Sequence, residues 1–150
     1  MRTTKEEVYS FCETYVDDRL QIIHSQIQKL NEDLLSESKS TAGDKHETGR
    51  AMIQLEREKL GNQLKEADTM KQVLSRVSLE QKSKRIALGS LVVTNVISYY
   101  ISISAGLFRD KDQTIYCIST SSPIGTLLLG KTIGDSISFR GKEQHIIQVY

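Results

Sequence analysis

The feature that most restricts this chain is a seam. Val16, Leu20, Ile23, Ile27, Leu30 and Leu34 follow one another at alternating steps of four and three. That spacing holds one stripe on an α-helix and is the signature of a coiled coil. A second stripe follows, with Ile53, Leu60, Ala67 and Leu74 repeating every seven residues. Met70 and Val77 stand three places beyond the last two, and Leu64 widens the stripe. Glu56 and Gln63 occupy seam places nearer the start, which weakens it there. No proline interrupts the chain before Pro123, and the first 85 residues are dense in Glu, Lys, Gln and Leu, all good helix formers.

The two stripes are separated by "STAGDKHETGR", Ser40 to Arg50. Two seamed helices joined by a short polar stretch predict an antiparallel hairpin. Each arm would run roughly 38 residues, or about 55 Å at 1.5 Å per residue. Acidic and basic residues are equally numerous over positions 1–85, as expected for solvated outer faces.

From Ile86 the pattern changes to period two with β-branched residues, which reads as strands. The expected strands are "SLVVTNV", "SYYISIS", "QTIYCIST", "DSISFR" and "QHIIQVY", with "FRDKD" and "RGKEQ" as polar turns. "PIGTLLLG" reads as a short helix with Pro123 in its first turn and Gly130 as its stop. The expected fold class is therefore α+β: an antiparallel coiled-coil hairpin over 1–85, with its tip near 39–47, and a small, mostly antiparallel sheet domain over 86–150.

Composition excludes several classes. A net charge of +1 in 150 residues argues against a broad basic nucleic-acid surface. Cys12 and Cys117 form no CxxC, and the opening "MRTTKEEVYS" has no apolar signal core, so reduced cytoplasmic thiols are expected. "IALGSLVVTNVISYYISIS" is too interrupted to span a membrane. There is no Gly-rich phosphate loop, no HExxH and no nucleophile elbow. Cys117 reads as a buried strand residue, and His24 as a side chain flanking the seam.

The residues between the arms are the chemical candidates. On a helical turn Asp44 and Glu47 lie on one face. Asp-x-x-Glu is equally a capping-box pattern, in which Asp44 caps the second helix and Glu47 folds back to it. Lys131 and Asp135 could serve turn geometry or a docking surface, and Ser121 and Ser122 before Pro123 read as turn and cap residues.

Two places carry a family resemblance. "SSPIGTLLLGKTIGDSISF", Ser121 to Phe139, resembles the C-terminal signature of the bacterial Gre transcript-cleavage factors, with Pro123, Gly130, Lys131, Gly134 and Asp135 in order and spacing. "GDKHE", Gly43 to Glu47, is similar to that family's coiled-coil tip, Gly-Asp-x-x-Glu. The order of the two halves is also that of the family. The tip departs from it afterwards: Thr48-Gly49-Arg50-Ala51 stands where Asn-Ala-Glu-Tyr is usual, and Ser40, beside Lys39, stands where a basic residue is usual.

The resemblance implies an FKBP-like sheet domain and a cytoplasmic, monomeric accessory factor with no cofactor of its own. Its partner would be RNA polymerase, entered through the secondary channel. Asp44 and Glu47 would assist the polymerase's Mg²⁺ in cleaving backtracked RNA, with no metal bound by the free protein. Lys39, Lys45, His46 and Arg50 would meet the nascent RNA's phosphates or polymerase carboxylates. Ser122, Pro123, Ile124, Lys131 and Asp135 would form the docking surface. An alternative is a non-cleaving channel binder of the same architecture that regulates transcription. A third, weaker reading is a peptidyl-prolyl isomerase or chaperone-like module, suggested by the FKBP-like fold alone.

Overall fold

A computed structural model describes residues 2–38 and 43–150; for residues 2, 3, 37, 38 and 43–48 it describes the backbone only. Two long helices come first, α1 (Arg2–Ser38) and α2 (Gly43–Ser75). Six strands and one short helix follow: β1 (Leu91–Thr94), β2 (Ser98–Ser102), β3 (Gly106–Asp110), β4 (Gln113–Ser119), α3 (Pro123–Leu128), β5 (Ser136–Phe139) and β6 (Lys142–Val149). The fold is α+β. The chain divides into two compact units, one of residues 16–71 and one of residues 1–15 with 72–150.

The helical unit is built on the seam. Val16, Ile23, Leu60 and Ala67 are buried, and Leu20, Ile27, Leu30, Leu34 and Ile53 are half-buried between exposed neighbours. Glu56, a polar residue in a seam place, is exposed, so burial thins toward the start of α2. The Lys71 Nζ to Asp17 carboxylate pair, at 2.7 Å, joins the two arms in antiparallel register.

The second unit contains a mixed sheet of order β3-β4-β2-β1-β6-β5. Four of its pairings are antiparallel, and β2 pairs with β4 in parallel, Tyr100 opposite Cys117. One face packs on α3: Val92, Tyr99, Ile101, Ile137 and Ile146 bury with Ile124, Leu128 and the linker residue Ile86. The other face carries Leu91, Tyr100, Ser102, Ile115 and Cys117, all buried. The first turns of α1 cover part of it. Phe11 meets Phe108 edge-on at 5.5 Å, and Cys12 meets Ser102. The Tyr9 hydroxyl donates to the Leu74 carbonyl at 3.1 Å, which holds the start of α1 to the end of α2.

Two expectations change. The helical reading to residue 85 overshoots: α2 ends at Ser75, closed by i→i+3 bonds from Arg76 and Val77. No Pro or Gly marks that stop. Tertiary bonds take the chain over instead, Thr132 Oγ1 donating to the Lys84 carbonyl and Ile86 N–H to the Lys131 carbonyl. The second change is β3, a strand that runs through part of "FRDKD". It is an edge strand with charged, exposed residues at its end, so it lacks the alternation that marks a half-buried strand. The polar turn shrinks to Lys111-Asp112, between the paired Asp110 and Gln113. "RGKEQ" likewise shrinks to Arg140-Gly141, both at positive φ, a two-residue hairpin turn of primed type.

Candidate functional site

The segment Ser121–Phe139 folds as one hydrogen-bonded assembly. The Ser122 side chain caps α3: its Oγ accepts from the Gly125 N–H at 3.1 Å and donates to the Ser119 carbonyl at 2.7 Å. Pro123 takes the first helical turn, where no N–H is missed. Gly125 lies so close to the preceding chain that an added Cβ would stand 2.1 Å from the Ser119 carbonyl oxygen. Gly130, at φ +80°, ends the helix and returns its N–H to the Ile86 carbonyl at 2.8 Å. Asp135 then closes the next turn, its Oδ2 accepting the Thr132 N–H at 2.9 Å.

The five expected docking residues thus have unequal access. Pro123 and Lys131 are exposed, Ser122 and Asp135 half-buried, and Ile124 is only 7% exposed because it packs in the core. The apolar surface around this assembly belongs instead to Leu127, Leu129 and Ile133, all exposed. Sequence reasoning missed them, although "TLLLG" held a signal. With its middle leucine buried on a short helix, the flanking leucines must face outward. Beside them an open groove of about 410 Å³ is lined by Lys82, Lys84, Thr132, Ile133 and Val149.

At the other candidate, α2 opens at Gly43. Asp44 and Glu47 therefore stand on its first turns, three residues apart and on one helical face. The side chains of Asp44, Lys45, His46 and Glu47 lie outside the described residues, as does Lys39 entirely. Arg50 is exposed on α2. Among the described residues no group of three or more His, Cys, Asp and Glu could hold a metal ion, and no helix is long and apolar enough to cross a membrane.

Elsewhere the interior also holds polar groups. Gln144, 4% exposed, accepts from the Tyr99 hydroxyl at 3.0 Å and lies 3.1 Å from the Thr94 hydroxyl. Burial raises the Tyr99 phenol above its ordinary value, while the Gln144 bond works the other way. Lys5 is buried, and desolvation, followed by the charge of Lys82, lowers its ammonium below the usual lysine value. An open groove of about 500 Å³ on the sheet is lined by residues such as Leu91, Val93, Ile97 and Ile115, with no aromatic side chain among them.

No protein-family model matches the chain, and no curated protein matches it. Among solved structures it is similar to one described as the structure of the transcription factor Gfh1, at 19% identity over 90% of each chain, with a TM-score of 0.36.

Proposed function

We propose that this chain is a Gre-like transcription factor of the bacterial cytoplasm, which enters the secondary channel of RNA polymerase and stimulates cleavage of backtracked RNA. One observation carries the reading: the sequence Gly-Asp-x-x-Glu opens the second helix of a hairpin, and the chain goes on to build Ser121–Phe139 as a single assembly. Asp44 and Glu47 are hard oxygen donors, which suits Mg²⁺, an ion commonly held by one or two carboxylates with phosphates and water. Bound in the polymerase, such an ion activates water and stabilises the leaving oxygen. This chain's part is to bring two carboxylates to it and to orient them. Lys39, Lys45, His46 and Arg50 would meet RNA phosphates or polymerase carboxylates. Docking would use Ser122, Pro123, Lys131 and Asp135, while Ile124, buried in the core, would support α3 from beneath. Catalysis belongs to the polymerase.

The second reading is a non-cleaving channel binder. Thr48-Gly49-Arg50-Ala51 favours it, because the tip departs from the family pattern directly after Glu47. The isomerase reading rests on the FKBP-like fold alone, and a fold does not fix a function.

The test is RNA cleavage in a stalled, backtracked elongation complex with Mg²⁺. Wild type is expected to accelerate cleavage. Asp44→Ala with Glu47→Ala should lose at least tenfold while still binding polymerase. Tight binding by wild type without any cleavage would sink the first reading in favour of the second.

A further inference from the structure

Ser136 and His145 face each other across the last pair of strands, β5 and β6. Their side chains are joined, with Ser136 Oγ 2.6 Å from His145 Nδ1. Both residues are exposed. The backbone explains the closeness. The His145 N–H donates to Asn95 Oδ1 at 2.7 Å, and the His145 carbonyl accepts the Asn95 N–H at 3.1 Å. Both backbone groups of His145 thus turn away from β5. In an antiparallel pair such a residue stands in a non-hydrogen-bonded place, where facing side chains come nearest. One place along, the Ile146 N–H donates to the Asp135 carbonyl at 2.9 Å, as the alternation requires. Ser136 therefore turns its own N–H outward, and β5 is the last strand of the sheet, so that N–H lies along a free edge. Ile147 follows two residues after His145 on the same outward face and is 54% exposed, while Ile146 between them is buried.

The fold has little use for the bond between the two side chains. Water would satisfy an exposed hydroxyl and an exposed imidazole equally well, so joining them contributes little to stability. Chemically the parts match one another. A hydroxyl nucleophile touches a base, and the nucleophile's own N–H is a donor beside the carbon it would attack.

We propose that Ser136 and His145 form an acyl-transfer site, which takes the acyl group of an activated apolar ester onto Ser136 and passes it to water. With the ring proton on Nε2, Nδ1 is the base. The Ser136 Oγ bonds to the ester carbonyl carbon while Nδ1 takes the hydroxyl proton, and the oxyanion forms beside the Ser136 N–H. Collapse breaks the ester C–O bond, and the leaving oxygen takes the proton from Nδ1. Water then attacks the acyl-serine carbonyl and gives a proton to Nδ1. The Oγ–carbon bond breaks, and Oγ recovers that proton. The sum is ester and water to carboxylic acid and alcohol. Two features set the substrate class. Ile147 offers an apolar strip next to His145 for the acyl chain. The site is open, so water screens the oxyanion and the ester must carry a good leaving group.

The experiment gives the full-length chain p-nitrophenyl butyrate, follows p-nitrophenolate release, and maps the butyryl group by mass spectrometry after acid quench. Wild type should release p-nitrophenolate about a hundredfold faster than Ser136→Ala, the low end of what a positioned base contributes. His145→Gln should lose as much. Ile147→Ser should slow the butyrate more than the acetate. The butyryl group should map to Ser136. Equal release by wild type and Ser136→Ala would overturn the proposal, as would a butyryl group found on lysines or the amino terminus alone. A fluorophosphonate probe on wild type needs no variant to fold: attachment at Ser136 is expected, and a chain left unlabelled would overturn the proposal. The site stands independently of the polymerase reading, and its assay contains no polymerase.

Discussion

Gly125→Ala is a substitution of one methyl group, and the structure assigns it a large effect. The new Cβ would stand 2.1 Å from the Ser119 carbonyl oxygen, 3.2 Å from its carbon and 2.8 Å from the Ser122 Oγ. Neighbours at that distance must move. The nearest is backbone, and it is the same carbonyl that accepts from the Ser122 N–H and hydroxyl. Relief therefore breaks the cap of α3. Losing a cap costs about 1 kcal/mol, and forcing a methyl into a packed site about 1–3 kcal/mol. Alanine gives back about 0.5–1 kcal/mol as a better helix former than glycine. The clash wins, leaving a net loss of about 1–3.5 kcal/mol, or roughly 2–14 °C in midpoint for a chain of this size. Gly61→Ala is the matched control: it sits within α2 with open space around it and should gain about 0.5–1 kcal/mol. Urea unfolding suits the comparison. The chain has no tryptophan, so emission comes from its six tyrosines, Tyr99, Tyr100 and Tyr116 of the sheet among them, while far-UV dichroism reports on the helices. If Gly125→Ala were as stable as wild type, the account of the Ser121–Phe139 assembly would be wrong.

Other outcomes follow from single contacts. Asp135→Ala should cost about 1 kcal/mol in urea unfolding, because the Thr132 N–H loses its carboxylate acceptor, while Asp135→Asn should keep most of it. Lys71→Ala should change stability by less than about 0.5 kcal/mol, since both partners of its pair with Asp17 are more than half exposed and water screens them. Tyr99→Phe removes a buried hydroxyl from Gln144 and should cost about 1–2 kcal/mol by the same assay. Lys5 predicts a pH effect. Its ammonium is lowered in the fold, so the unfolded chain binds more protons, and stability should rise as pH climbs toward the ordinary lysine value of 10.5. Lys5→Met should abolish that alkaline rise; a rise of the same size in the variant would refute the assignment.

The two halves differ in how openly the sequence declares them. Heptad spacing named the residues that bury between the helices, from Val16 to Leu74, because a repeating stripe has one geometric solution. It failed at residues 76–85, where helix-forming residues leave the helix to bond the Ser121–Phe139 assembly. Local propensity carries no record of such a partner. Strand patterning found β1, β2, β4, β5 and β6 but not β3, whose exposed edge position removes the alternation. At the candidate docking surface, Pro123 and Gly130 were legible as helix punctuation. The burial of Ile124 and the exposure of Leu127 and Leu129 depend on how α3 rotates on the sheet, which six residues are too few to declare.

The strand order also decides when the molecule can come together during synthesis. β6, latest in sequence, lies inside the sheet between β1 and β5, with Val92 opposite Val149 and Leu91 exchanging backbone bonds with Tyr150. Both helices are complete before any strand has been translated. The ribosome therefore releases a finished hairpin attached to strands that lack their interior member. Until β6 emerges, β1 and β5 each offer an unpaired edge to whatever is nearby. A stalled or truncated chain missing β6 would keep an intact coiled coil and an open, adhesive half-sheet. Shortened products of this gene should accordingly be found in aggregates or with chaperones rather than as soluble fragments.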